Sequence, residues 1–299
     1  MCNNICVGAG LISLDVLVRD GKKLPVSYYV GGTCGNVMMI LAYMGWSAYP
    51  IARLDGTKDT DRLLADMRKQ HVHTDYISTT DGKTPVIVQR NFIGKDGVPT
   101  HKFESRNGKR RFYLDFKSLT VKQAEAVIER VGFVPKVFFF DRISSAIFKL
   151  ATAFKAKGAV IFFEPSSKGG KAGLFEKCVK VADVVKFADQ RIKDRRQFDG
   201  YVDKLIIQTQ GEKGLDYRLN SKWKHIRPVV NKEILDTSGA GDWTAAALIN
   251  ILFKGKKARR IGSITQPVLK KALRKAQMLG AKSCSYEGAR GMMRCLKGK

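Results

Sequence analysis

The chain lacks any apolar run long enough to cross a membrane, and its start lacks a basic leader. A transmembrane helix needs about 20 predominantly apolar residues, so we expect no membrane span, no signal peptide and no membrane partner. The six cysteines form no Cys-x-x-Cys pair and lie far in sequence from His71 and His73. This spacing argues against a zinc site or a disulfide framework and predicts reduced, buried thiols in a cytoplasmic protein.

Acidic residues are scarce, because 27 Asp and Glu stand against 54 Lys and Arg, for a formal net charge of +27. After Asp242 the only acid is Glu287, while basic runs occupy 254–260, 270–275 and 294–299. Such a surface attracts anions in general, whether nucleotides, phosphorylated substrates or nucleic acid. The charge is spread along the chain without a nucleic-acid-binding signature, so we interpret it as a solvated basic surface and expect no nucleic-acid partner.

Short apolar runs alternate with helical patterns along most of the 299 residues. Four of these runs are continuous and rich in β-branched or aromatic residues, at 136–141, 159–165, 183–187 and 204–210. Strands that are buried on both faces have this composition. The alternation of strands and helices predicts a three-layer α/β fold, in which a mostly parallel central sheet lies between two layers of helices.

One part of the chain breaks this alternation. Residues 83–116 alternate polar and apolar side chains around two turn signals, which is typical of hairpin strands, and residues 12–30 supply further strands in this interpretation. We therefore expect a single domain over 1–299 with a small β-sheet lid. The tip of the lid is basic, with Arg106, Lys109, Arg110 and Arg111. A solvated tip is the simpler interpretation, and an anionic acceptor is the alternative.

The segment DTSGAGD, which ends at Asp242, places small residues and an acid directly before a helical pattern. A helix over 241–253 would have unpaired N–H groups in its first turn, at the positive end of its dipole, and these bind anions. The residues at that turn are Gly239, Ala240 and Gly241. Asp242 would repel a phosphate unless it takes a proton from an attacking hydroxyl. The residues alone leave two interpretations open: a kinase-like base, or a glycine-rich loop with a capping aspartate.

The same segment resembles the second signature of the ribokinase-like family of sugar and nucleoside kinases, also called the phosphofructokinase B family. Three further motifs resemble the family in the same order: GLISLD at 10–15, GGTCGN at 31–36 and TQGEKG at 209–214. The four motifs extend from residue 10 to residue 242, so the resemblance covers essentially the whole chain. It implies the ribokinase-like fold and ATP-dependent transfer of a γ-phosphoryl group to a hydroxyl of a sugar or nucleoside.

The resemblance also implies a role for each matching residue. Asp242 would be the general base, beside an anion hole formed by the amides of 239–242. The residues that would hold the substrate are Asp15, Gly32 and Asn36. Those that would line the ATP site are Thr209, Gly211 and Gly214. Mg²⁺ is the implied cofactor. Some relatives are activated by K⁺, for which the motifs identify no site here, and some form homodimers through the lid sheet.

Several positions depart from the family's pattern. The family's Asn-x-x-Glu after the strand at 183–187 is replaced by ADQR, with Ala188 and Arg191 at the Asn and Glu positions. An arginine cannot order the waters of a cation as a carboxylate does, so this departure concerns Mg²⁺ binding. Glu164 keeps the acid of the family's Asp-Pro-Asn segment, and Asp55 replaces a glycine. The alternatives are therefore an inactive member that binds nucleotide or sugar, and a polyanion-binding protein on this fold.

Overall fold

The structure is a computed structural model that describes residues 4–19, 27–94, 99–105, 116–167, 173–220, 222–255 and 260–296. The basic cluster predicted at the lid tip lies outside these ranges. Within them, no helix is both long and apolar enough to cross a membrane. Four of the cysteines in these ranges are buried free thiols, and a fifth free thiol, Cys295, is exposed.

The described residues form strands and helices that alternate along most of the chain. The strands are β1 (Ile5–Ala9), β2 (Ser13–Arg19), β3 (Ser27–Gly31), β4 (Ser47–Arg53), β5 (Tyr76–Ser78), β6 (Val86–Ile93), β7 (Pro99–Ser105), β8 (Val137–Phe140), β9 (Val160–Phe163), β10 (Val184–Ala188), β11 (Leu205–Thr209), β12 (Leu215–Arg218) and β13 (Lys224–Ile226). The helices are α1 (Thr33–Tyr43), α2 (Lys58–Lys69), α3 (Val121–Arg130), α4 (Ser145–Ala156), α5 (Leu174–Val181), α6 (Ala240–Phe253), α7 (Gln266–Ser283) and α8 (Gly291–Leu296).

The central sheet has nine strands in the order β13-β12-β11-β10-β9-β8-β1-β4-β5. From β11 to β5 the neighbouring strands are parallel, and only the β12 and β13 pairings are antiparallel. Successive side chains point to opposite faces, so Phe138 packs with α3, α4 and α5 while Phe139 packs with α1, α6 and α7. This confirms the predicted three-layer fold, and the four continuous apolar runs are β8, β9, β10 and β11.

A second, four-stranded sheet has the order β3-β2-β6-β7. Its strands fall in the two segments where the sequence predicted strands, 12–30 and 83–116, except that β3 runs one residue further, to Gly31. One face packs on α2 through apolar side chains such as Val16 and Val88. The opposite face carries Asp15, Tyr29 and Gln89, which line a cleft. The alternation of the strands thus divides this sheet into a core face and a face that a ligand can contact.

Asp55, which replaces a family glycine, joins the start of α2 to the start of the small sheet. Its carboxylate accepts hydrogen bonds from the hydroxyls of Thr57 (2.6 Å), Thr60 (2.8 Å) and Thr84 (2.9 Å), and from the N–H of Thr84 (3.1 Å). Burial by itself would raise the pKa of Asp55, but these hydrogen bonds outweigh it and lower the pKa below the ordinary range. The carboxylate therefore stabilises the connection that enters β6.

We expect Asp55→Ala to lower the free energy of unfolding by about 2 kcal/mol at neutral pH, because buried donors lose a charged acceptor. A carboxyl whose pKa is depressed on folding contributes stability above its unfolded pKa and loses it as the pH falls. The difference from the wild type should therefore shrink under acidic conditions. Urea denaturation across pH measures this, with Asp61→Ala, an exposed acid of α2, as the control. Equal effects of the two substitutions would contradict the assignment.

Candidate active site

The DTSGAGD segment forms the turn that enters α6, and the helix begins at Ala240. Gly239 precedes it in the left-handed region, at φ 76°, where a side chain is strained. A Cβ at Gly239 would also lie 2.6 Å from the Cα of Ala289. Among the described residues, no side chain caps α6. The N–H of Ala240 donates to the carbonyl of Thr237 at 3.3 Å, so among the described residues the N–H groups of Gly241 and Asp242 are the ones left for an anion.

Asp242 lies in the first turn of α6 and is joined to α1 by Asn36. The Asn36 Nδ2 donates a 2.7 Å hydrogen bond to Asp242 Oδ2. Asn36 is buried and lines the cleft, and its Oδ1 has no hydrogen-bond partner among the described residues. A buried acceptor without a donor is costly. The structure therefore brings together two predicted site residues, and it leaves one acceptor of Asn36 ready for a ligand's hydroxyl.

Gly32 positions Asn36 through the backbone. It is the N-cap of α1, with φ 76°, and a Cβ there would lie 2.5 Å from the backbone oxygen of Leu11. Its carbonyl accepts the N–H of Asn36 at 2.8 Å. Only a glycine fits this close approach without strain. Gly32 thus lies beside the cleft and sets the start of the helix, rather than presenting a side chain to a substrate.

Lys186 and Glu164 form a buried ion pair next to the start of α6. Phe163 pairs with Val185 in the parallel β9–β10 ladder. The residues that follow them, Glu164 and Lys186, therefore lie side by side. A Cβ on Gly241 would lie 3.6 Å from Lys186 Nζ, so the ammonium faces the anion hole. Glu164 Oε2 is buried without a hydrogen-bond partner among the described residues. The site therefore has a fixed positive charge and one uncommitted carboxylate oxygen.

Burial raises the pKa of the three carboxyls of this region, and the charge of Glu164 adds to the shifts of Asp141 and Asp242. Burial raises the pKa of Asp242 well above the ordinary range, and the nearby Glu164 adds to the shift, against the Asn36 hydrogen bond. Burial likewise raises the pKa of Asp141 to about 6. Burial also raises the pKa of Glu164, and the charge of Lys186 opposes that shift. A raised pKa brings a carboxyl closer to the range in which it accepts a proton efficiently at neutral pH. Asp242 has the properties of a general base.

Asp15 lies in the cleft on β2. Its Oδ1 accepts a 2.7 Å hydrogen bond from the hydroxyl of Ser13. Burial raises the pKa of Asp15 to about 7, and the Ser13 hydrogen bond and the charge of Arg290 oppose that shift. Asp15 and Asn36 line the same cleft, so the structure unites the predicted substrate-binding side chains. Asp242 is joined to this cleft through Asn36.

The predicted nucleotide-binding turn follows β11. Thr209 ends that strand opposite Ala188 of β10, and a short 3-10 turn covers Gly211–Lys213. Gly214 has φ 97°, and the turn is closed by the Gln210 N–H to the Gly214 carbonyl (2.9 Å). The turn lies at the carboxyl edge of the sheet, where β10 brings Lys186 and where ligands of open α/β sheets bind.

Arg191, at the family's glutamate position, is exposed at this edge and donates to the carbonyl of Ser166 at 3.4 Å. Its charge lowers the pKa values of Asp141 and Glu164 against the larger effect of burial. The carboxylate nearest to the anion hole besides Asp242 is therefore Glu164, on the neighbouring strand, and not a group at position 191.

Asp236, the first residue of the motif, was missed by sequence reasoning and ties the small sheet to the site. Its buried carboxylate accepts from Gln89 Nε2 (2.6 Å) and from the N–H groups of Ser238 and Gly288 (both 2.9 Å). His101 Nδ1 lies 3.4 Å from the same carboxylate. Sequence reasoning also missed Lys186, although a lysine inside an apolar strand was a signal, because such a residue is almost never buried unless paired.

The chain belongs to the pfkB family of carbohydrate kinases, because the family model described as pfkB family carbohydrate kinase matches residues 1–294. It is therefore a carbohydrate kinase. No curated protein sequence matches the chain.

Solved structures show the same fold. A fructokinase double mutant from Vibrio cholerae O395, in its fructose, ADP and potassium ion bound form, has a TM-score of 0.74 at 17% identity, over 100% of this chain and 99% of that chain. Aminoimidazole riboside kinase from Salmonella enterica, complexed with aminoimidazole riboside and an ATP analog, has a TM-score of 0.72 at 16% identity, over 97% and 96%. A Burkholderia thailandensis nucleoside kinase in complex with inosine gives 0.66 at 15% identity, over 95% and 92%.

Proposed function

We propose that the protein transfers the γ-phosphoryl group of ATP to a hydroxyl of a small polyol, with Asp242 as the general base. The observation that carries this proposal is the position of Asp242. Its carboxylate lies in the first turn of an uncapped helix and is held at 2.7 Å by Asn36, which lines the cleft. A proton acceptor thus stands between a site for hydroxyls and a site for a phosphate.

The acceptor binds in the cleft through its hydroxyls. The Asn36 Oδ1 that lacks a partner and the carboxylate of Asp15 accept hydrogen bonds from two hydroxyls. A third hydroxyl faces Asp242, which removes its proton as the oxygen attacks phosphorus. The raised pKa of Asp242 suits this transfer, because a base of ordinary carboxyl pKa would be weaker.

The transferring phosphoryl group binds at the start of α6. The N–H groups of Gly241 and Asp242 form the anion hole in this proposal, since that of Ala240 already donates to Thr237, and the small side chains allow close approach of the backbone. Lys186 adds a positive charge from beneath Gly241. The nucleotide extends from there along the carboxyl edge of the sheet to the turn of Thr209, Gly211 and Gly214. Two of the structural neighbours are recorded with ADP or an ATP analog.

Glu164 is the residue that fits a Mg²⁺ ion. One oxygen of its buried carboxylate has no partner among the described residues, and no cluster of three or more potential metal ligands occurs in that part of the chain. Mg²⁺ typically binds to one or two carboxylates, waters and substrate phosphates rather than to an all-protein cage. When bound, it neutralises phosphate charge. Glu164 thus supplies the carboxylate that is missing at Arg191.

The small sheet serves as the lid of the site. Its ligand-facing side carries Asp15 and Gln89, and Gln89 is hydrogen bonded to Asp236 of the catalytic segment. Closing the cleft in this way excludes water, which would otherwise take the phosphoryl group from ATP. The hydrogen bonds of Asp236 couple the position of the lid to the shape of the anion hole.

A phosphorylation panel tests the proposed function. Purified protein is incubated with Mg²⁺ and γ-labelled ATP, with and without K⁺, against neutral sugars, sugar phosphates, sugar acids and nucleosides. We expect labelled product with at least one acceptor and a strict dependence on Mg²⁺. EDTA-treated reactions and acceptor-free reactions are the controls. Calorimetric binding of Mg·ATP without transfer to any acceptor would support the nucleotide-binding alternative instead.

A further inference from the structure

Two arginines belong to the same cleft as Asp15 and Asn36. Arg290 and Arg294 line the cleft together with Tyr29 of the small sheet. Their guanidinium carbons lie 5.3 Å and 4.3 Å from the centre of the Tyr29 ring. Arg290 is only 6% exposed, while Arg294 is exposed. The catalytic machinery described above uses neither residue.

Arg290 is not fully paired. One of its η nitrogens forms an ion pair with Asp66, whose same oxygen also accepts the N–H of Val30 at 2.8 Å. The Arg290 Nε is buried and has no acceptor among the described residues. A guanidinium has five N–H donors in a planar fork that matches carboxylate and phosphate groups. The buried donor of Arg290 therefore indicates a missing anionic partner.

The two guanidinium groups also repel each other. Burial lowers the pKa of Arg290, and the charge of Arg294 lowers it further, against the effects of Asp66 and Asp15. Arg294 donates to the backbone carbonyl of Glu287 at 2.9 Å, and in the described ranges it has no carboxylate partner. Holding like charges side by side costs free energy, which Asp66 and Asp15 offset in part. A ligand with negative charge would offset it further.

We propose that the acceptor carries a phosphate or carboxylate group, which Arg290 and Arg294 bind. The inference rests on the proposed kinase function for the identity of the ligand, although the anion site itself does not. Asp15 and Asn36 line the same cleft and take the hydroxyls.

Matched acceptors and matched arginine variants test this subsite. The probes are D-fructose, D-fructose 1-phosphate, D-fructose 6-phosphate and D-gluconate, measured by kcat/KM with Mg·ATP and by calorimetric Kd without ATP. We expect kcat/KM for an anionic probe to exceed that for D-fructose by about 100-fold. We expect Arg294→Met to weaken the binding of the anionic probe about 10- to 100-fold. Arg294→Met should weaken the anionic probe more than D-fructose, because the neutral sugar has no charge for Arg294 to pair with.

The control variant is Arg62→Met. The guanidinium carbon of Arg62 lies 4.6 Å from the centre of the Tyr28 ring. Tyr28 precedes Tyr29 and is on the other face of the same strand. Arg62 therefore matches Arg294 in charge and in its contact with a tyrosine ring, but it lies outside the cleft. Arg290→Lys keeps the buried charge but removes the planar fork, and it should weaken the anionic probe while the protein stays folded. Phosphate and carboxylate probes separate the two possible anions.

The outcomes separate this inference from the proposed function. Efficient phosphorylation of D-fructose with no preference for an anionic probe, and equal effects of Arg294→Met and Arg62→Met, would overturn the subsite and leave the kinase assignment intact. Binding of an anionic probe that Arg294→Met weakens would support the subsite even if no probe were phosphorylated, and the absence of any transfer would then count against the kinase function alone.

Discussion

Asp242→Asn should lower kcat by about 10²-fold or more with any acceptor that the wild type phosphorylates. The asparagine oxygen can still accept the 2.7 Å hydrogen bond from Asn36, so the local geometry is kept while the proton acceptor is lost. The substrate's affinity should change little, because Asn36 and Asp15 still contact its hydroxyls. Steady-state kinetics with Mg·ATP measures both parameters. Turnover that is unchanged by the substitution would refute the role of Asp242.

The same variant should be more stable than the wild type at neutral pH. The pKa of Asp242 is raised on folding by burial and by Glu164, so the folded state binds more protons than the unfolded state between the two pKa values. The contribution of Asp242 to stability therefore falls as the pH rises through this window, and the neutral asparagine removes that penalty. Thermal unfolding across pH provides the check. If the variant had lost its activity and were also less stable than the wild type at every pH, the role of Asp242 would be merely structural.

Lys186→Met should lower the free energy of unfolding by about 3–5 kcal/mol at neutral pH, because it leaves the carboxylate of Glu164 buried without its partner. Lys186 is 1% exposed and its ammonium contacts Glu164 directly. Without the lysine, the pKa of Glu164 rises further. A raised carboxyl pKa disfavours the folded state increasingly as the pH rises. The loss should thus be larger at pH values well above neutrality, and urea denaturation at several pH values measures it.

The double variant Lys186→Met, Glu164→Gln is the matched control. It removes both charges and keeps the side-chain volumes close to the originals, so it should recover most of the stability that the single variant loses. Recovery identifies the unpaired carboxylate, rather than lost packing, as the cause. If the single and double variants were equally unstable, the ion pair would have no special energetic role in the core.

Local patterns were sufficient for the catalytic segment and for much of the fold. A glycine in the left-handed region, a helix start and an acid are properties of neighbouring residues, so DTSGAGD predicted α6 and its exposed first turn before any long-range contact was known. The continuous apolar runs likewise predicted β8 to β11, because strands buried on both faces need apolar side chains at every position. The alternation of polar and apolar side chains in 83–116 likewise predicted strands of the small sheet, because strands with one buried face alternate in this way.

The contacts between distant segments could not be predicted from local sequence patterns. Asp236 joins the catalytic turn to Gln89, which lies 147 positions away in the sequence. Arg191 looked like the decisive departure, yet the carboxylate with an uncommitted oxygen near the anion hole is Glu164, which pairs with Lys186 because β9 and β10 are neighbours in register. Strand order is decided by the whole sheet, so no local pattern identifies this pair.

The sequence by itself determined the family, the layered α/β architecture and the turn that enters α6, since these depend on side-chain periodicity and on motifs a few residues long. Only the tertiary structure decided which charges meet. It placed Asn36 against Asp242, Lys186 beneath Gly241 and two arginines beside Tyr29. The physical reason is that electrostatic and hydrogen-bond energies depend on distance and burial, and chain folding creates both between segments that are far apart in sequence.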